Sequence, residues 1–166
     1  MLISPEEGSG PTLPDTVSAV RVCLIYDCLF PWTVGGHERW FRHLAERLAA
    51  DGFQVTYLTR RQWDEHDPPQ IPGVEVVAVS RPEELYGKDG TRRIGQALRF
   101  GWGVTRHLLG HRRDYDVVHV CSFPYFSLLG ARVARAPMFV DWIEVCSASY
   151  CRQYPGGLRG EEARVV

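Results

Sequence analysis

A pair of adjacent glycines, Gly35-Gly36, lies at the centre of the residues in this sequence that could do chemistry. An apolar run precedes them and ends near Tyr26, and a helical stripe of apolar residues begins after His37. Glycines at a helix start let the backbone approach a ligand, and the unpaired amides at that positive end suit a phosphate or an anionic, hydroxyl-rich substrate. A tight turn that binds nothing explains the same pair.

Further polar residues follow the other apolar runs. If these runs form parallel strands, their carboxyl ends meet at one edge of a sheet, which is where ligands bind in open α/β sheets. The residues expected at this edge are Asp27, Arg60, Cys121, Ser122, Asp141 and Glu144.

The glycine pattern argues against a dinucleotide. The G-x-G-x-x-G fingerprint needs three glycines directly after a strand, whereas a long loop and only two glycines are present here. The acidic residue that would bind a ribose after the second strand is absent, and Arg60-Arg61 stand there instead. A dinucleotide-dependent oxidoreductase is therefore disfavoured, and no cofactor is expected.

Apolar runs and helical stripes alternate along the chain. The runs predict strands at 20–26, 53–59, 74–79, 116–120 and 137–140, and the stripes predict helices at 37–51, 91–109 and 124–134. Strands that alternate with helices over short connections predict an α/β fold. We expect a Rossmann-like, doubly wound parallel sheet in a three-layer α/β/α arrangement, with strand order about 3-2-1-4-5.

Length and charge are those of one ordinary domain. A chain of 166 residues can bury a single core, and a formal net charge of −1 gives no general affinity for nucleic acid. We expect a disordered tail at 1–18, the α/β domain at 19–145, and a C-terminal extension or linker at 146–166.

Cysteine usage and hydropathy predict a cytoplasmic protein. The five cysteines are odd in number and include no C-x-x-C pair, which favours reduced thiols and gives no metal site. No apolar run reaches the roughly 20 residues that span a bilayer. The acidic start of the chain also lacks the features of a secretory signal.

The segment GGHERWFRHLAERLAADGFQVTYLTRR resembles the opening of glycosyltransferase family 4 enzymes, whose N-terminal domains carry G-G-x-E, L-A-x-x-L and a Gly-hydrophobic-x-Val-Thr strand. DVVHV, with the helix and proline-led strand that follow it, is similar to a later part of that domain, and VDWIEV resembles its end. The resemblance covers about Arg21 to Gly157. It implies a GT-B architecture, in which two Rossmann-like domains face each other across a cleft.

The resemblance also implies an activity and roles for single residues. The N-terminal domain mainly holds the acceptor, and the complete enzyme, of the hexosyltransferase type, transfers a sugar from a nucleotide-sugar to a hydroxyl without a metal. Gly35 and Gly36 would form the loop that faces the donor phosphates and the acceptor. Glu38 would order that loop, unless it is simply a solvated carboxylate at a helix start.

Three other positions have roles by the same resemblance. His119 matches the histidine of the family's D-[VI]-[VI]-H strand and is the one weak catalytic candidate; a core histidine satisfied by backbone is the alternative. Cys121 stands where many relatives carry a polar residue or histidine. Asp141 and Glu144 would bind sugar hydroxyls, or else cap or solvate a loop.

In the family, a basic pair and a Glu-x7-Glu motif that hold the nucleotide-sugar belong to a second, donor-binding half, which we expect to lie outside this chain. The resemblance thus implies that the donor-binding half is a further domain in cis or a separate chain, and that this chain alone is inactive or nearly so. The rival hypothesis is a non-catalytic Rossmann-like module that pairs with a partner protein.

Arginines line the second predicted helix and its exit. A basic helix can lie on anionic lipid, and several family 4 enzymes act on lipid-linked acceptors. Peripheral contact with the cytoplasmic membrane face is therefore one hypothesis, and an ordinary solvated face is the other. The candidates for membrane contact are Arg92, Arg93, Arg99 and Arg106.

Overall fold

The structure, a computed structural model, describes residues 19–86 and 93–142. Strands and helices alternate there, except that no helix separates the second strand from the third. The strands are β1 (Arg21–Ile25), β2 (Gln54–Arg60), β3 (Val74–Ser80), β4 (Val117–Cys121) and β5 (Met138–Asp141). The helices are α1 (Gly36–Ala50), α2 (Ile94–Gly110) and α3 (Tyr125–Ala131).

The strands form one sheet in the order β3-β2-β1-β4-β5, and every neighbouring pair is parallel. Helix α1 packs on one face, where Phe41 and Ala45 meet Leu24 and Tyr57. Helices α2 and α3 pack on the other face. The predicted Rossmann-like fold, its three layers and its strand order are confirmed.

β1 lies at the centre of the sheet because both of its faces are apolar. Leu24 points into the α1 layer, whereas Cys23 and Ile25 point into the α2 layer, and all three are fully buried. Its one charged residue, Arg21, lies at the amino end, where the guanidinium donates to both carboxylate oxygens of Asp116 at 2.9 and 3.2 Å. This ion pair lies at the opposite edge from the candidate site.

Glycines bring α2 close to its neighbours. A Cβ at Gly103 would lie 2.1 Å from the backbone oxygen of Val79 in β3, and one at Gly101 would lie 2.6 Å from that of Phe126 in α3. Across the same contact, a Cβ at Gly130 would lie 2.7 Å from the oxygen of Gly101. Only glycine permits this spacing of the backbones.

The helix boundaries differ from those predicted, most of all in α2 and α3. α3 ends at Ala131 rather than at 134, because the next amides bond to carbonyls three residues back and tighten the chain into turns. α2 begins at Ile94 rather than at 91, and it continues through Gly110, since His111 still donates its amide to the carbonyl of His107. The predicted tail at 1–18 and the extension at 146–166 lie outside the described residues. Within those residues, no helix is both long and apolar enough to cross a membrane.

Candidate functional site

The carboxyl edge of the sheet brings together the loop after β1, the start of α1 and the ends of β2, β4 and β5. Asp27, directly after β1, is fully buried, and Gln96 of α2 donates to its Oδ2 at 3.3 Å. This bond joins the start of α2 to the end of β1. Asp27 therefore lies beneath the surface of the site, and its predicted contact with a ligand stays a prediction.

The first turn of α1 presents backbone amides without a side-chain cap. Gly35 is the N-cap residue in an extended conformation, and no side chain bonds to the amides that follow it. A Cβ at Gly36 would meet nothing within 4 Å, so the space beside Gly36 is open. Uncapped amides and the positive end of the helix dipole make this turn able to accept an anion.

Glu38 folds back over Gly35. Its Oε1 accepts a hydrogen bond from the hydroxyl of Tyr26 at 2.9 Å, and its Oε2 occupies the place where a Cβ on Gly35 would lie. The carboxylate thus ties the first turn of α1 to the end of β1. The ordering of the glycine loop by Glu38 during substrate binding stays a prediction.

His37 approaches Asp141 from across the site. Its Nε2 lies 3.3 Å from Oδ2 of Asp141, without the geometry of a hydrogen bond, and its ring stacks on Trp40 at a centroid distance of 5.7 Å. We call His37, Trp40, His119 and Asp141 the histidine cluster. The sequence interpretation missed His37, although its position directly after Gly35-Gly36 was a usable signal.

His119 lies in β4 against α1, with its ring centroid 5.5 Å from Phe41 and 6.0 Å from Trp40. Among the described residues, no backbone group hydrogen-bonds to its ring, so the alternative of a backbone-satisfied core histidine gains no support. Burial lowers the pKa of His119 and of His37, and Asp141 only partly offsets this. Both rings are therefore neutral near pH 7 and can accept a proton.

Other predicted site residues lie elsewhere. Cys121 has no exposed surface and packs in the core of the α1 layer, so this conformation gives no support for its predicted contact with a substrate. Ser122 is equally buried, and its amide donates to the oxygen of Asp141 at 2.9 Å. Glu144 and Arg92 lie outside the described residues. In the described part of the chain, no three His, Cys, Asp or Glu side chains are grouped to hold a metal.

A second wall of the site lies at the end of β2. Gln62 ties it to the loop after β1, because its Oε1 accepts from the hydroxyl of Thr33 at 2.5 Å and from the amide of Leu29 at 3.3 Å. Its Nε2 donates to the backbone oxygen of Arg60 at 3.2 Å. Trp32 and Arg60 line a cavity of about 360 Å³ on this side. The sequence placed Arg60 at this edge but did not identify Gln62.

The two neutral histidines make stability depend on pH. Because the folded pKa of each lies below the ordinary 6.5, the unfolded chain binds protons that the folded chain does not, and stability should fall as pH drops below about 6.5. The loss is up to about 1.4 kcal/mol per pH unit for each histidine. Urea unfolding between pH 5 and 8 measures it. His37→Gln should flatten the dependence, and His43→Gln, at an exposed position of the same helix, should not.

Fold and site together define a Rossmann-like domain that presents an uncapped helix end, two neutral histidines and a carboxylate at the carboxyl edge of its sheet. The model of the glycosyl transferase 4-like domain family matches residues 35–166. The chain therefore belongs to this family, and the resemblance seen in the sequence is confirmed. No curated protein matches the chain.

Proposed function

We propose that this chain is the acceptor-side N-terminal domain of a GT-B glycosyltransferase, which transfers a sugar from a nucleotide-sugar to a hydroxyl acceptor. The observation that carries the proposal is the histidine cluster beside the uncapped first turn of α1. A neutral imidazole suits a hydroxyl nucleophile, and free amides suit a phosphate leaving group. Both groups lie in a protein of the glycosyl transferase 4-like family.

In the proposed reaction the acceptor oxygen bonds to the anomeric carbon as the bond from that carbon to the phosphate oxygen breaks. The hydroxyl proton passes to His37 or His119, and Asp141 stabilises the imidazolium that forms. The amides at Gly36 and His37 face the negative charge that develops on the leaving phosphate. The remaining groups that hold the nucleotide-sugar belong to a donor-binding half, in cis or as a separate chain, and neither a metal nor another cofactor is required.

The test is release of nucleoside diphosphate from UDP-glucose and GDP-mannose in the presence of a mixed panel of glycan acceptors. The chain alone should give no turnover and should bind both donors weakly, because it supplies only the acceptor side. Turnover should appear when a donor-binding half with a Glu-x7-Glu segment is encoded with the chain or beside it and is co-expressed. Tight donor binding by the chain alone would contradict the assignment, and so would an assembled pair that stays inactive with every acceptor.

A second proposal concerns the outer face of α2, which we infer contacts an anionic membrane surface. Large apolar side chains that are about half exposed or more recur on this face at helical spacing, and Trp102 is 68% exposed. Such a stripe beside basic residues is the pattern of a helix that lies in a lipid interface. The stripe consists of Ile94, Leu98, Trp102 and Leu109.

Not all of the arginines that the sequence suggested for membrane contact lack an acidic partner in the structure. Arg99 donates two hydrogen bonds to Glu83, and Arg93 lies 3.7 Å from Glu84, so both have acidic partners. Arg106 is exposed and has no acidic partner among the described residues. Beyond it, Leu109 lines a cavity of about 310 Å³ together with arginines that suit lipid phosphates. They are Arg112, Arg113 and Arg135.

Arg106→Glu is therefore expected to weaken binding to vesicles that contain 30% phosphatidylserine by about tenfold, since each basic residue near such a surface contributes about 1 kcal/mol and the change also reverses the charge. Vesicle sedimentation measures it. Arg47→Glu on α1, in the opposite layer, makes the same change in net charge and should have little effect. Equal losses in both variants, or no binding by the parent chain, would refute the proposal.

A further inference from the structure

Arg60 carries a buried positive charge at the carboxyl edge of the sheet. It is the last residue of β2, it is 6% exposed, and it has no carboxylate within ion-pair distance among the described residues. Its Nη1 donates to the backbone oxygen of Glu83 at 2.7 Å, whereas its Nε is buried and has no hydrogen-bond partner there. A buried guanidinium without an ion pair is costly, and an anion bound in the cavity beside Arg60 would offset that cost.

Acids that lie near Arg60 have other partners. Asp27, which the register of β1 and β2 places beside Arg60, accepts a hydrogen bond from Gln96. Glu83 accepts hydrogen bonds from both Arg99 and Arg81, which together hold the pKa of its carboxyl below the usual value. Glu84 is largely exposed and lies 3.7 Å from Arg93. Among the described residues, none of these carboxylates lies within ion-pair distance of Arg60.

The cavity beside Arg60 has the size and lining for a charged sugar. Its volume of about 360 Å³ falls within the range of about 300–1,000 Å³ that is usual for small-molecule sites. Trp32 is 39% exposed and offers an apolar ring beside the guanidinium groups of Arg60 and Arg61. The cavity is also lined by two acids that are paired with arginines outside it, Glu83 and Glu84. An aromatic face next to guanidinium groups suits a sugar ring that carries a carboxylate or phosphate.

We propose that this cavity binds an anionic group of the acceptor, a carboxylate or a phosphate on a sugar, with Arg60 as its counter-charge and Trp32 against its ring. The inference rests on the proposed glycosyltransferase function, of which it specifies the acceptor class. Thr33 of the cavity precedes Gly35 by two positions. An acceptor held here therefore lies beside the loop that leads to the first turn of α1.

Isothermal titration of the chain at constant ionic strength tests the proposal with glucose 6-phosphate, glucuronate, glucose and inorganic phosphate as probes. The two charged sugars should bind about 10- to 100-fold more tightly than glucose, as hydrogen bonds to a charged group allow. The stronger of the two identifies the anion as phosphate or carboxylate. Inorganic phosphate should bind more weakly than glucose 6-phosphate because it lacks the ring that contacts Trp32. Charged sugars that bind no better than glucose would overturn the proposal.

Arg60→Met should remove this preference and leave thermal stability equal or higher, since it replaces an unpaired buried charge with an apolar chain of similar length. Arg47→Met, at an exposed position, should bind like the parent. Arg60→Lys keeps the charge but loses the planar fork and should bind the charged sugars about tenfold more weakly. Trp32→Ala should weaken all three sugars and leave inorganic phosphate unchanged.

If Arg60→Met and Arg60→Lys both bind the charged sugars like the parent, the cavity is not their site. A lower melting temperature with unchanged binding would show that Arg60 acts only as a support for the loop at Glu83. If charged sugars bind through Arg60 but the assembled enzyme transfers no sugar, the glycosyltransferase proposal fails. The assignment of the cavity as a site for charged sugars then still stands. If the assembled enzyme transfers sugar to neutral acceptors only, the proposal of an anionic acceptor is overturned, while the glycosyltransferase function stands.

Discussion

Replacement of Gly103 by alanine is expected to lower the free energy of unfolding by about 2–3 kcal/mol. The new Cβ would lie 2.1 Å from the backbone oxygen of Val79, and a backbone atom of β3 cannot move aside as a flexible side chain can. Helix α2 must then shift away from the sheet, which loosens Phe100 and Val104 in the core. The gain of about 1 kcal/mol in helix propensity offsets only part of this loss. Urea unfolding followed by circular dichroism measures the change.

Gly110→Ala is the matched control, because it makes the same substitution in the same helix. A Cβ at Gly110 would meet nothing within 4 Å. Its stability should stay the same or rise by up to about 1 kcal/mol. Similar losses at Gly103 and Gly110 would show that the close approach of α2 to β3 is not the cause.

Gly36→Asp is expected to have opposite effects on stability and on catalysis. A carboxylate in the first turn of α1 interacts favourably with the helix dipole and should raise stability by about 0.3–1 kcal/mol. The same carboxylate occupies the open space before the uncapped amides and repels a leaving phosphate. Sugar transfer by the chain together with its donor-binding half should therefore fall by about 100-fold or more in kcat/KM.

Gly36→Asn distinguishes the effect of the added charge on kcat/KM from the effect of the added side-chain volume. Asparagine has nearly the volume of aspartate but no charge, so its loss of kcat/KM should be about tenfold smaller than that of Gly36→Asp. If the two variants lose activity equally, steric blockage rather than charge explains the effect. If Gly36→Asp keeps full activity, the first turn of α1 does not face the donor phosphates.

The fold could be predicted because its signals are local. The apolar run that became β1 lies between a tail and a glycine loop, and the helical stripe through Phe41 and Ala45 needed only its own spacing to be recognised. Alternation of strands and helices then restricts the sheet order, since crossovers are right-handed. For the same reason Gly35 and Gly36 could be placed at the start of α1.

The contacts that shape the site could not be predicted, because they join residues far apart in the chain. Gln96 is 69 positions from Asp27, and nothing in either neighbourhood signals the bond between them. His37 and Asp141 meet only once β5 takes its place beside β4. The role of the helical glycines could not be predicted either. In the sequence, Gly103 only weakens the prediction of helix α2, whereas the structure shows that it permits the close approach of β3. Depth of burial could not be predicted either, since nothing local shows that the side chains of Asp27 and Cys121 are fully buried.

Gln62 forms hydrogen bonds through both its side-chain oxygen and its side-chain nitrogen, and this has a consequence for the kinetics of ligand binding. Its oxygen accepts from Leu29 and Thr33, and its nitrogen donates to Arg60, so the protein's own hydrogen bonds join the two sides of the cavity. A ligand then meets a formed site and does not wait for a loop to close. Association should follow a single exponential phase, with an observed rate that rises linearly with ligand concentration and shows no plateau. Gln62→Ala would release the loop and introduce a slower, concentration-independent step.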